Sequence, residues 1–270
     1  MGLGIAALVT AGIAYASVVS GLLPTSDGTY KAWTPSTGTT HYTLVDESSC
    51  NGTTDYNSTT ITGNRDSYGI SLSGVPNGAV VSGIAIKPCA SRNSSGGGSA
   101  TMNVFYRWNG TNSADAGAYA LTGTTPVNLA TTTFSGLALN KRSSNTAEIG
   151  AIYSSGTKGA RLSRIAAEIT YSITAPSDPY SLSETHDFAT STPYILLSWS
   201  STSTNELGFK VERGTDGVNF SQIGTSSENY TSYFDSAIIT GSSTTYYYRV
   251  KAYNDSYDSG YTNTVSVFVP

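Results

Sequence analysis

Apolar and polar residues alternate along most of the chain in short runs, each closed by Gly, Pro, Asn, Asp or Ser. Ser67-Tyr68-Gly69-Ile70-Ser71-Leu72 has the two-residue period of a half-buried strand. Val75-Pro76-Asn77-Gly78 reads as a turn, and Ala79–Lys87 as a second strand with Val81, Ile84 and Ile86 toward a core. Further strands are predicted at Ala100–Trp108, Thr125–Leu129, Ala147–Tyr153 and Leu162–Ile173. Regular short strands without a helical stretch predict a β-sandwich or jelly roll over residues 27–174, the jelly-roll-like form being what the resemblance given below implies. Ala175-Pro176-Ser177-Asp178-Pro179 cannot continue a strand ladder, and a second β domain over 175–270 follows it.

One segment breaks the alternation. Met1–Leu23 carries no charged residue and is followed by Pro24, which predicts a hydrophobic α-helix over residues 1–24 in an otherwise mainly β chain. Gly2, Ala6, Thr10 and Ala14 recur every fourth position, as do Gly12, Ala16 and Ser20. On a helix they form two stripes of small residues that let backbones approach closely, with Leu3, Ile5, Leu8, Val9, Ile13, Val18 and Val19 between them. Ala14-Tyr15-Ala16 before Ser17 also fits a signal-peptide cleavage site, but a signal peptide opens on cations and the first here is Lys31. The expectation is a retained helix, with a secreted chain beginning at Ser17 as its alternative.

The Gly2-Leu3-Gly4-Ile5 opening, the uncharged Ala/Val/Ile run and Val19-Ser20-Gly21 resemble the N-termini of type IV pilin-like filament subunits. The likeness is nearer to archaeal pilins and archaellins, and Ile5 departs from the Glu that bacterial type IV pilins carry at that position. It implies a helical homopolymer whose N-terminal helices bundle in the core after passing through the membrane. His41 to Glu47, Asn64 to Tyr68 and the turn and strand after them are similar to β-sandwich modules of bacterial surface and phage structural proteins, many of which look like carbohydrate-binding domains. Residues 175–270 resemble a fibronectin type III domain. The matching segments are Ile195-Leu196-Leu197-Ser198-Trp199, Asn205 to Arg213, Thr245 to Asn254 and Asn263-Thr264-Val265-Ser266-Val267. Tyr246, Tyr248, Val250 and Ala252 alternate onto one face, expected to oppose Trp199, with one tyrosine making the corner hydrogen bond of such folds. Gly214-Thr215-Asp216-Gly217 is a hairpin turn, and Arg213-Gly214-Thr215 is not an Arg-Gly-Asp adhesion motif.

Composition narrows the partners. Of 270 residues, 41 are Ser and 38 Thr, while only 12% are charged and the net charge is −4. There is no basic stripe to neutralise a phosphate backbone, so nucleic acid is not an expected partner. Cys50 and Cys89 are too few for a four-ligand zinc site or a disulfide framework, and are expected to pair with each other. Asn51, Asn57, Asn93, Asn109, Asn219, Asn229 and Asn254 head Asn-x-Ser/Thr sequons, candidate acceptors for N-glycans on an exported protein.

Candidate chemistry is sparse. The two histidines, His41 and His186, belong to no metal or nucleophile motif, and no phosphate-cradling loop or Gly-x-Ser-x-Gly elbow occurs. Asp46 and Glu47 could meet Asp66 as acid and base or as calcium ligands, but solvated loop carboxylates are the plainer reading. Lys158, Arg161 and Arg164 read as a surface or subunit contact rather than an anion site. The expectation is therefore no enzyme and no cofactor. The chain is read as an extracellular filament subunit assembled through its N-terminal helix, with the sandwiches as an outer, adhesive sheath. The alternative is a secreted or membrane-anchored carbohydrate-binding protein using Trp33, Tyr42 or Trp108.

Overall fold

The computed structural model describes residues 16–50, 52 and 54–270. These form two compact units: one comprises 16–75 and 80–172, the other 76–79 and 173–270. Nearly all regular structure is strand, apart from one 3₁₀ turn at Tyr42–Leu44.

The expected N-terminal helix is corrected here. Gly2, Ala6, Thr10, Gly12 and Ala14 lie outside the described residues, but Ser17–Leu22 is a strand, β1, and Pro24–Lys31 a second, β2. Val18 and Val19 are β-branched residues that favour a pleated backbone, and they pair with Thr170 and Ile169. Gly21 has a φ of +70° and sits where the pairing register shifts, as a bulge requires. Ala16 and Ser20 are exposed, and Pro24 opens β2 opposite Ile70. Among the described residues no helix is long and apolar enough to cross a membrane.

The first unit continues with β3 (Thr34–Pro35), β4 (Asn57–Thr59), β5 (Arg65–Ile70), β6 (Val80–Arg92), β7 (Ala100–Trp108), β8 (Thr111–Asn112), β9 (Ala116–Ala120), β10 (Val127–Asn128), β11 (Thr132–Asn140), β12 (Ala147–Gly156) and β13 (Ala160–Ser172). One antiparallel sheet runs β10-β6-β13-β4-β3, with β1 on β13 and β11 on β6. The other runs β2-β5-β12-β7-β8, with β9 on β7. From β5 to β7 and from β11 to β13 the chain changes sheet at each connection, as in a jelly roll. Its core joins Ile84, Ile86, Leu162, Ile165 and Ile169 to Tyr68, Met102, Ile149 and Tyr153.

Residues between β3 and β4 cover the outside of the first sheet. The β13 register shifts between Leu162 and Arg164, and the groups this bulge releases hold the covering loop. Ser163 Oγ donates to the Gly52 carbonyl, Ile165 N–H to Val45 and Arg164 Nε to Glu47. Cys50 bonds to Cys89 on β6, with Cα atoms 5.6 Å apart, and fixes the loop covalently.

The second unit comprises β14 (Tyr180–Asp187), β15 (Tyr194–Ser200), β16 (Gly208–Gly214), β17 (Ser221–Ser227), β18 (Ser232–Asp235), β19 (Thr244–Tyr253), β20 (Asp258–Tyr261) and β21 (Val265–Val269). Three strands, β14-β15-β18, oppose β17-β16-β19 with β20 and β21 on the far side of β19, which is the fibronectin type III arrangement. Tyr246, Tyr248, Val250 and Ala252 are buried in one core with Trp199, whose ring meets Phe209 edge-on at 5.4 Å. Tyr246, near the start of β19, accepts the Ile239 N–H at its hydroxyl, the corner contact.

Candidate functional site

Polar groups concentrate in three places in the first sandwich. The first is interior. Asp66 shares strand parity with Tyr68 and Ile70, so β5 points its carboxylate into the core, where it is fully buried. His41 Nδ1 lies 2.8 Å from Asp66 Oδ2, and Tyr68 donates its hydroxyl to the same oxygen at 2.9 Å. Asn57 Nδ2 donates to the His41 carbonyl and to the Tyr68 hydroxyl. Burial pushes the Asp66 carboxyl up to about 6 despite the lowering influence of His41 and Tyr68. Burial, then the Asp66 charge, drives the Tyr68 hydroxyl well above its ordinary value. The hydrogen bonds close on one another without facing a cleft, so the cluster clamps the start of the covering loop onto β5.

The second is the outer face of the sheet that contains β5 and β12. Glu148 accepts from Ser67 Oγ at 2.6 Å, from Thr29 N and Oγ1 at 2.9 and 2.7 Å, and from Arg107 Nη1 at 3.4 Å. Burial alone would raise its pKa, but those hydrogen bonds and the guanidinium outweigh it and hold the carboxyl below the usual range. Gly28 permits this packing, since a Cβ there would stand 2.5 Å from both Glu148 Oε2 and Ser67 Oγ. A groove of about 400 Å³, bounded by Asp27, Thr29, Asn145 and Glu148, runs beside it.

The third is a basic end, where the β6–β7 loop meets the β12–β13 turn. The Arg161 guanidinium lies 3.9 Å from the Tyr56 ring centroid and donates through Nη2 to Asn93 O and Oδ1, both at 3.3 Å. Arg92 Nη1 donates to the Gly96 and Gly98 carbonyls at 3.1 and 3.0 Å. Arg164 stands apart from them, turned toward the Glu47 carbonyl.

Several sequence expectations meet different surroundings. Trp33 and Trp108, proposed to stack on sugars, are buried at 2% and 7% exposure, the former with its indole N–H on the Asn64 carbonyl. Tyr42 is half-buried. Asp46 and Glu47 do not join Asp66, and among the described residues no group of three His, Cys, Asp or Glu side chains is placed to hold a metal. Burial first, then the neighbouring Asp55, pushes Glu47 up to about 7. Among the sequons, Asn51 lies outside the described residues, and Asn57 and Asn254 are buried with their amides engaged. Asn93 is half-buried against Arg161, while Asn109, Asn219 and Asn229 are exposed.

The second sandwich holds a network that no motif announced. Asp235 is buried and accepts from Arg213 Nη1 at 2.8 Å and from the Tyr248 hydroxyl at 2.9 Å. On the outer face of its larger sheet, Glu212 gathers Arg249, Lys251 and the Tyr261 hydroxyl, and Arg249 lies between the Phe220 and Tyr261 rings at 4.2 and 3.8 Å. His186 stacks on Phe188 at 4.4 Å and pairs with Glu184.

No protein-family model and no curated protein matches the chain. Among solved structures it is similar to a Fn3-like protein from Clostridium thermocellum, at 28% identity over 36% of this chain and 96% of that one, with a TM-score of 0.30. It is also similar to the chicken CNTN1 FN1-FN3 domains, at 11% identity over 77% of this chain and 61% of that one, TM-score 0.32. A β-1,2-glucanase from Parabacteroides distasonis matches at 12% identity over 93% of this chain and 38% of that one, TM-score 0.30.

Proposed function

We propose that this chain is a non-catalytic adhesive protein of an extracellular surface, with glycans as its partners. The observation that carries the reading is the Cys50–Cys89 bond, which closes the covering loop of the first sandwich and suits an oxidising compartment. The hydroxyl-rich, charge-poor composition fits the same setting, and the buried Asp66 and Asp235 are tied to partners within their own sandwich. Assembly into a filament through an N-terminal helix is not carried forward, because Ser17–Leu22 and Pro24–Lys31 are strands.

The test is protease shaving of intact source cells, followed by mass spectrometry of the released peptides without reduction. The expected result is release from whole cells, with Cys50 and Cys89 in one linked peptide pair. Protection until lysis, with both thiols free to alkylate, would overturn the reading.

A further inference from the structure

The basic end of the first sandwich brings together three cations, whereas at least half of the chain's Lys and Arg residues are paired with acids. Arg65, Lys87, Arg107, Lys210, Arg213, Arg249 and Lys251 all reach a carboxylate within salt-bridge distance. Among the described residues no carboxylate pairs with Arg92, Lys158 or Arg161, although the chain has more acids than bases. The carboxylates of the nearby covering loop are engaged elsewhere: Asp55 accepts from Thr54, and Glu47 neighbours Asp55.

The three cations converge on one loop. Arg92 holds the carbonyls of Gly96 and Gly98, and Arg161 holds Asn93 at the start of the same loop. Lys158 lies beneath it: a Cβ on Gly96 would sit 3.4 Å from the Lys158 Nζ, and one on Gly98 would sit 3.1 Å from its stem. Both glycines have φ in the left-handed region, +87° and +123°, which lets the loop fold over the lysine. Two further atoms lack acceptors. Arg92 Nε and Arg161 Nε are both buried without a hydrogen-bond partner, and a charged donor left unmet is costly. The arginines are pinned through one nitrogen each, and Arg161 is held flat by the Tyr56 ring. That pre-orders the guanidinium donors for an anionic oxygen acceptor.

We infer that Arg92, Lys158 and Arg161, with the Ser94–Ser99 loop, form a binding site for acidic glycans, recognising the carboxylate of a uronic acid or a sulfate ester. This rests on the proposed role as a surface-binding protein and supplies that role with a site and a ligand class. A polysaccharide is favoured over nucleic acid because the Ser94, Ser95 and Ser99 hydroxyls share the loop with the cations and suit hydrogen bonds to a sugar ring.

The test uses the full chain on immobilised polygalacturonate, chondroitin sulfate, dextran and random-sequence duplex DNA at low salt. Binding to either acidic polysaccharide at least tenfold tighter than to dextran and DNA is expected, the two acidic surfaces telling carboxylate from sulfate. Arg92→Gln/Lys158→Gln/Arg161→Gln should lose at least tenfold of that binding. Gly97→Glu guards against a folding defect, since a Cβ at Gly97 meets nothing within 4 Å and the new carboxylate opposes the site without removing a contact. It should weaken binding about tenfold with an unchanged melting temperature. Unaltered binding by Gly97→Glu, equal affinity for dextran, or DNA binding as tight as the polysaccharides would overturn the site. Shaving from the cell surface would stand in each of those cases, so a failed site and a failed surface role are told apart.

Discussion

Asp66 in the first sandwich and Asp235 in the second are 0% and 3% exposed, and each accepts a tyrosine hydroxyl at 2.9 Å, from Tyr68 and Tyr248. They differ in the cation. Asp235 faces Arg213, and although burial works to lower that guanidinium's pKa, Asp235 and Tyr248 outweigh it and hold it above its ordinary value. The guanidinium therefore keeps its charge. Asp66 faces His41 in place of a guanidinium, and burial wins: the carboxyl rises to about 6. One sandwich sets a permanent cation against its buried aspartate, and in the other the buried aspartate itself takes up a proton near pH 6. The first sandwich also has the disulfide, which the second lacks.

The largest effect should come from that disulfide. Closing a loop with a sequence separation of 39 stabilises by about 4 kcal/mol on the chain-entropy model. Cys50→Ser/Cys89→Ser should lower the stability of the first sandwich by that amount and leave the second unchanged. Hydrogen exchange in urea, read peptide by peptide, assigns the loss to one sandwich or both. Loss in both would mean that the two unfold as one unit and cannot be compared as independent bodies.

Next is Arg213→Met, which leaves Asp235 buried without its cation. Breaking a buried pair from one side costs about 3–5 kcal/mol. The lower value, about 3, is expected because Tyr248 and the Ala237 N–H still hold the carboxylate. A loss under 1 kcal/mol in the second sandwich would show that Tyr248 and the Ala237 N–H suffice to carry Asp235, and that the cation is not what distinguishes the two sites.

The third prediction concerns pH. A folded pKa of about 6 against an ordinary 3.8 means that the folded state holds the Asp66 proton more tightly than the unfolded chain does. The stability this contributes is complete below about pH 4 and is lost as pH rises through 6. At about 1.4 kcal/mol per unit it amounts to about 3 kcal/mol. Asp66→Asn should remove that slope between pH 4 and 6 in the first sandwich, measured by urea unfolding at stepped pH. An unchanged slope would place the proton elsewhere.

The strand pattern was legible because alternation is set by the pleat, and Tyr246, Tyr248, Val250 and Ala252 occupy the core face their parity demands. Asp66 was legible in principle, since it shares parity with Tyr68 and Ile70, but a carboxylate among polar neighbours reads as a loop residue until its partners are known. Ser17–Leu22 misled for the opposite reason. A short apolar run satisfies a helix or a buried strand equally, and only the pairing of Val18 and Val19 with β13 decides. Trp33 and Trp108 look like sugar platforms in a polar sequence, yet large rings are what a small sandwich most needs inside. The approach of Arg92, Lys158 and Arg161 depends on two connections far apart in sequence, and no local pattern encodes it.

The smallest expected effect falls on the covering loop, where a second carboxyl titrates with no salt-bridge partner among the described residues. Glu47 is pushed from 4.5 up to about 7, by burial first and then by Asp55 and Asp46, and its Oε2 is covered without a hydrogen-bond partner. The sign matches that of Asp66: the contribution is complete below about pH 4.5 and lost as pH rises through 7. Glu47 is half-exposed, so solvent screens most of it and well under 1 kcal/mol is expected. The disulfide keeps this from appearing as global unfolding, so it should emerge as faster exchange of the loop amides near Val45 and Glu47 above pH 7, after correction for intrinsic rates. Glu47→Gln should abolish that acceleration while leaving the Asp66 slope intact. If the two slopes vanish together, His41 and Glu47 belong to one opening unit, and the proton-dependent character of the first sandwich belongs to its loop rather than to its core.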